Sequence, residues 1–166
     1  MKRILVLFVF VMIGGSVTAQ QMSNKKIAEI IEQVGDSIEG QSGRWQFYVK
    51  DVAFICLTDS TNNRMRIISP IIEAFQLTEE LKDACLIANF HTALDVKYAV
   101  ANDVLWSSFI HPLRELTDDQ VKDAIAQVYS ANKSFGTTFS STSLVFPGAA
   151  SEPEESKKKG VKKQKF

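Results

Sequence analysis

Residues 43–70, GRWQFYVKDVAFICLTDSTNNRMRIISP, decide the fold. Trp45, Phe47 and Val49 alternate with Arg44, Gln46 and Tyr48, the period-two pattern of a half-buried strand. The following DVAFICLTD is apolar at both parities, as a central strand is. TDSTNN is turn chemistry. RMRIIS predicts a third strand, expected to stop at Pro70, which has no N–H to donate to a ladder.

Simple hairpin registers assign the faces. With Lys50-Asp51 as the first turn, Val49 faces Val52, Phe47 faces Phe54 and Trp45 faces Cys56. With Asp59–Asn62 as the second loop, Cys56 faces Met65 and Phe54 faces Ile67. One face then collects Trp45, Phe47, Val49, Phe54, Cys56, Met65 and Ile67, a core face for helices to cover. The other collects Arg44, Tyr48, Ile55, Leu57, Arg64 and Arg66. In this register Arg44 and Arg64 flank Leu57, and Arg66 lies beside Ile55. Three arginines buried without partners would cost several kcal/mol each, so this face is open. Two readings fit it. Arginine stems can lie over aliphatic neighbours with their heads in water. Equally, Arg and aromatic residues are enriched where partners dock.

The remaining segments supply helices and a second hairpin. Ile27, Ile30, Ile31, Val34 and Ile38 recur at helical spacing, predicting a helix capped at Ser23 or Asn24 and ended by Gly40 and Gly43. Residues 70–95 return to helical pattern, with a start signal at Thr78. Leu81, Ala84, Cys85 and Ala88 form one stripe and Leu86, Phe90, Ala93 and Leu94 another, so this helix is expected to be packed on more than one side. VKYAVANDVLWSSFIHPL predicts a hairpin turning at Asn102-Asp103, which brings Ala99, Trp106 and Ser108 to the arginine side. Thr117 caps a last helix with a Val121, Ile125, Val128 and Tyr129 stripe. The expected class is α+β, a five-stranded antiparallel sheet in the order α-β-β-β-α-β-β-α.

Composition narrows the function. The 166 residues carry 19 basic and 19 acidic groups. Lys2 and Arg3, the apolar run Ile4–Ile13 and the small residues ending at Ala19 form a signal-peptide pattern. The apolar run is shorter than the ~20 residues a spanning helix needs, so no membrane span is expected in the mature chain. The expected organisation is a signal at 1–19, one domain at 20–150, and a lysine-rich disordered tail at 151–166. Residues 20–151 hold 11 basic and 16 acidic groups, net −5, which argues against a nucleic-acid-binding body. Cys56 and Cys85 could pair in an oxidising compartment, but their apolar surroundings fit buried free thiols.

Catalytic motifs are absent: there is no nucleophile elbow, HExxH, phosphate loop or CxxC. His91 and His111 lack the converging ligands a metal needs. Asp118, Asp119 and Asp123 read as charges favoured at a helix N-terminus. No cofactor is expected.

The stretches GRWQFYVKDVAFICLTD, NRMRIISPI, LIANF (with Asn89) and KYAVANDVLWSSFIHPL together resemble the YbjN-like, bacterial sensory transduction regulator family. That family is similar in fold to type III secretion chaperones. The resemblance implies the five-stranded sheet above and a regulatory or protein-binding role without catalytic residues. The resulting expectation is an exported, non-enzymatic, chaperone-like module able to form a homodimer. It would dock a protein or peptide on Arg44, Tyr48, Ile55, Arg64, Arg66 and Trp106. The alternative is a periplasmic small-ligand or stress sensor, with the ligand held between sheet and helix.

Overall fold

A computed structural model describes residues 21–143. The expected signal segment, 1–19, and the expected disordered tail, 151–166, lie outside them. The described chain forms helix α1 (Asn24–Val34), strands β1 (Asp36–Gln41), β2 (Arg44–Val49), β3 (Val52–Asp59) and β4 (Arg64–Glu73), a 3₁₀ turn (Ala74–Gln76), helix α2 (Glu79–His91), strands β5 (Lys97–Ala101) and β6 (Val104–His111), and helix α3 (Asp118–Ser134). The strands make one antiparallel sheet in the order β1-β2-β3-β4-β6-β5.

The class is the expected α+β, but the sheet has six strands rather than five. The extra strand is β1. The helical stripe Ile27–Val34 continues on paper to Ile38, yet α1 stops at Val34 with Gly35 as its C-cap. A Cβ at Gly35 would lie 2.8 Å from the Phe47 ring, so this end is packed against β2 at a spot only glycine fits. Every residue of β1 is exposed. It therefore carries no alternation to betray it. Gly40 and Gly43, expected to end a helix, instead adopt positive φ around the β1–β2 turn.

The β2–β3 register is the predicted one: Val49 pairs with Val52, Phe47 with Phe54 and Trp45 with Cys56. The β3–β4 register differs by two residues. Cys56 pairs with Ile67, Leu57 with Arg66 and Asp59 with Arg64. The loop is Ser60–Asn63 because Asp59 holds its own turn, its carboxylate accepting the Asn62 backbone N–H at 2.9 Å and the Asn62 side-chain amide at 2.7 Å. Asn63 closes the loop in the left-handed region at φ 53°, where asparagine is tolerated better than most residues. A shift of two preserves the faces, so the core assignment survives and only the neighbours change.

Pro70 does not end its strand. Pairing with β3 stops at Ile68, and pairing with β6 continues past Pro70–Trp106 through a register slip before Ile72. A bulge is where a proline is accommodated inside a sheet. The second helix therefore starts at Glu79, after Thr78, whose hydroxyl accepts the Leu81 N–H at 3.3 Å. The Asn102-Asp103 turn is as predicted, both residues at positive φ, which a two-residue I′ turn demands.

The core lies on one side of the sheet. Trp45, Phe47, Phe54, Cys56, Met65, Ile67, Leu105 and Phe109 meet Ile27, Ile30 and Ile31 of α1 and Val121, Ile125 and Val128 of α3. Phe47 stacks on Phe54 at 5.3 Å. Two buried serines dock α3: the Ser107 hydroxyl donates to the Val128 carbonyl at 3.2 Å, and the Asn132 amide donates to the Ser69 hydroxyl at 2.9 Å. Thr117 and Gln120 complete a capping box at the start of α3. Cys56 and Cys85 are both buried free thiols.

Candidate functional site

The registers lay the opposite side of the sheet out in rows. Arg44, Leu57, Arg66 and Ile110 form one row across β2, β3, β4 and β6. Gln46, Ile55, Ile68, Ser108 and Lys97 form the next. Beyond them Tyr48 lies beside Ala53, Pro70 beside Trp106, and Trp106 beside Ala99. At the other end Arg64 stands across from Asp59.

The buried faces of α1 and α3 lie against the core side, so among the described residues no helix covers these rows. Arg44, Gln46, Tyr48, Arg64, Arg66 and Ile110 are exposed, while Ile55, Leu57, Ile68 and Trp106 are half-buried. All six expected residues thus share the open face but divide into two ends. The arginines gather at one end, Tyr48 and Trp106 stand at the other, and Ile55 lies between. The expected flanking of Leu57 by Arg44 and Arg64 is corrected to Arg44 and Arg66, and Ile55 neighbours Ile68 rather than Arg66. Ile110 and Ile68 were missed. Their parity with Trp106 and Arg66 along β6 and β4 was the available signal.

Hollows open at several places on this face, among them one of about 430 Å³ at the β1 edge between Glu39, Gln41, Arg44 and Gln46. One of about 410 Å³ is bounded by Leu57, Thr58, Asp59, Arg64, Arg66 and Ile110. Another of about 280 Å³ lies between Glu39, Gln46, Tyr48, Ile55 and Pro70. Among the described residues none of the three arginines has a carboxylate within ion-pair distance. Arg64 donates only to the neighbouring Asn63 carbonyl, at 3.4 Å. Asp59, its cross-strand neighbour, is held below the usual carboxylate range by the Asn62 hydrogen bonds. The arginine end is braced from below. The Asn63 amide donates to both Glu115 oxygens, at 3.0 and 2.9 Å, its carbonyl oxygen accepts the Arg114 N–H, and the Arg114 guanidinium donates to the Ser60 carbonyl.

A second apolar surface lies on α2. The helix was expected to be packed on more than one side. Instead it rests only its Cys85–Ala88 side on the body, beside β5. Leu86 is 67 % exposed, Ile87 62 % and Phe90 84 %, with Phe75 86 % exposed just before the helix and Val100 exposed on β5. A helix apolar around most of its girth is either enclosed or carries a patch, and sequence alone does not separate the two. Polar contacts add to that buried Cys85–Ala88 side in holding α2. The Asn89 amide donates to the Tyr98 carbonyl at 3.1 Å and accepts the Tyr98 N–H at 2.7 Å, pairing with the outer edge of β5 as another strand would. Lys97 caps the end of the helix through the carbonyls of Asn89 and Leu94.

The histidines stand apart from any cluster fit for a metal. The His111 ring contacts the Pro112 carbonyl at 2.8 Å and stacks on Phe109, and the His91 ring meets Phe90 edge-on. No group of three or more His, Cys, Asp or Glu side chains able to hold a metal occurs among the described residues.

The fold resembles that of chaperone chains in solved structures. Chains in three solved structures share it: the HopA1–SchA chaperone–effector complex (TM-score 0.53, 10 % identity, 68 % of this chain and 94 % of that chain), the ExsC–ExsE complex (0.50, 12 %, 68 % and 92 %), and the Yersinia pestis type III secretion chaperone SycH in complex with a stable fragment of YscM2 (0.51, 12 %, 68 % and 98 %). At these identities the likeness is one of fold. No family model matches the chain, and no curated protein sequence matches it.

Proposed function

We propose that this chain is an exported, non-enzymatic, chaperone-like module that docks a protein or peptide on the open face of its sheet. The observation that carries this reading is the composition of that face. It is a sheet surface that no helix covers among the described residues, with Ile55, Leu57, Ile68, Ile110, Tyr48 and Trp106 on it and arginines at one end. An antiparallel sheet with one wet face normally presents polar residues there; an aliphatic and aromatic centre with an Arg rim has the make-up of an interface. The YbjN-like kinship rests on the RMRI and Asn89 motifs and belongs to the same reading. So does export, which rests on the pattern of residues 1–19.

Pairing with a second copy through α2 is part of the proposal. Phe75, Leu86, Ile87, Phe90 and Val100 leave roughly 600 Å² of apolar side chain exposed, taking about 150–250 Å² for a bare aromatic. A standard interface needs ~800 Å² per partner, which the flanking residues would supply. Glu79, Glu80 and Asp83 lie towards one end of the helix, His91 and Lys97 at the other. An antiparallel two-fold pairing sets each acidic end against the other copy's basic end.

The experiment is a pull-down from envelope extract with the wild-type chain and with Tyr48→Ala/Ile110→Asp. Partners retained by wild type and lost by the variant, at equal melting temperature, support the reading. An identical partner set overturns it. Amino-terminal sequencing of the exported chain is expected to begin at Gln20. The alternative, a small-ligand sensor, has hollows between helix and sheet to use: one of about 240 Å³ between α2 and β5, lined by Leu77, Cys85, Tyr98 and Leu105, and one of about 430 Å³ between β6 and α3, lined by Lys97, Phe109, His111, Gln120 and Asp123. The first is below the ~300–1,000 Å³ of usual ligand sites and the second within it. A thermal shift with a single metabolite in the absence of any protein partner would favour it.

A further inference from the structure

We infer that the arginine end of the open face selects acidic partners. It takes an extended segment with carboxylates at alternate positions. This rests on the docking reading above and adds the partner's chemistry. Arg44 and Arg66 flank Leu57 in one row, and Arg64 follows Arg66 on the same strand face. Among the described residues none of the three has an acidic partner within ion-pair distance; Asp59, across from Arg64, is occupied by Asn62, and Glu39 stands in the adjoining row in a hollow it shares with Arg44. Three guanidiniums left unpaired beside Leu57 and Ile110 present donors in fixed forks that match carboxylates.

The spacing suits an extended chain. Same-face residues on a strand lie about 6.6–6.8 Å apart. That is the separation of Arg64 from Arg66, and equally of alternate carboxylates on a docked strand. Arg44 sits two strands from Arg66, about 10 Å away, so a segment crossing the sheet reaches both. The hollow between Leu57, Arg64, Arg66 and Ile110 then lies under the aliphatic stems of those acidic side chains, while the residues between them point away from the sheet. The charge of the body outside the lysine-rich tail selects a short acidic segment over a long polyanion. Residues 20–151 are net −5, so nucleic acid or an extended anionic membrane meets a repulsive field outside this patch.

The test uses the full chain and a fluorescent ~10-residue peptide alternating Glu and Leu, with Gln and Lys analogues, followed by anisotropy. The Glu peptide is expected to bind saturably and to weaken between about 50 and 300 mM salt. Its Gln analogue is expected to bind about tenfold or more weakly, since a charge-assisted contact is worth about a decade. Arg44→Glu/Arg66→Glu, both surface changes, is expected to lose the Glu peptide and to gain the Lys peptide. Equal binding of Glu and Gln peptides, no saturable binding of the Glu peptide, or tighter binding of oligothymidylate or phosphatidylglycerol vesicles would each overturn the inference. The docking reading fails separately. If Ile110→Asp abolishes peptide binding while the arginine variant does not, the face is right and its acidic preference is wrong. If neither variant changes binding and the pull-down is also unchanged, both fall.

Discussion

Replacing Asn89 by alanine tests how α2 is attached. The side chain makes two hydrogen bonds to the main chain of Tyr98 on the open edge of β5, at 2.7 and 3.1 Å. Each such bond contributes a net ~0.5–1.5 kcal/mol. Both bonds are only part-buried, so water takes over some of the loss, and the expected cost is about 2 kcal/mol. For a domain of this size that is a fall in Tm of roughly 6–12 °C. Buried Trp45 provides the fluorescence signal for urea unfolding. Asn89→Asp keeps the acceptor for the Tyr98 N–H but sets a carboxylate against the Tyr98 carbonyl, so it should rescue little. The freed edge of β5 should also raise aggregation at high concentration, since Asn89 now occupies it. A cost below about 0.5 kcal/mol for the alanine variant, or full rescue by Asp, would refute the idea that a side-chain amide stands in for a strand there.

Phe47→Ala removes a fully buried ring stacked on Phe54 and is expected to cost about 3–5 kcal/mol in denaturant unfolding; a loss under about 1 kcal/mol would mean that α1 does not close over β2 as described. Leu86→Asp/Phe90→Asp, both exposed on α2, should convert a dimer seen by analytical ultracentrifugation into a monomer without lowering Tm, and an unchanged sedimentation coefficient contradicts the α2 pairing. Burial pushes the Cys56 thiol up to about 12, against 9.0 for a free thiol. The folded chain therefore keeps this proton at pH values where the unfolded chain has lost it, so this contribution to stability is full below about 9 and is lost as the pH rises towards about 12. Urea midpoints should fall over that window, less steeply in Cys56→Ala, and a thiol reagent at pH 8 should label native protein only after denaturation.

The parts of the fold that were legible had one-sided burial. The β2–β3 hairpin could be read because Trp45, Phe47, Phe54 and Cys56 alternate into the core while Arg44 and Tyr48 do not. Strand β1 could not, because all six of its residues are exposed and Gly35 ends α1 for a reason held in the Phe47 ring, a contact distant in sequence. The β3–β4 register slipped by two because the loop is set by Asp59 and Asn62 bonding each other, while side-chain parity is blind to an even shift. Pro70 read as a stop because the bulge that admits it depends on β6, a strand 34 residues further on. The six site residues were found on one face for the same parity reason, but the division into an arginine end and an aromatic end needed the true register. The α2 patch was invisible, since Leu86 and Phe90 look the same in sequence whether a core or a partner covers them.

The most direct test of the account is site-specific photo-crosslinking in the native envelope. A benzophenone side chain is placed in turn at Tyr48, Ile55, Arg66 and Ile110 on the open face, and at Lys122 on the exposed side of α3. The account predicts crosslinks to one protein partner from the four sheet positions and none from Lys122. Crosslinks from Lys122 alone, or the same products from all five positions, would contradict it.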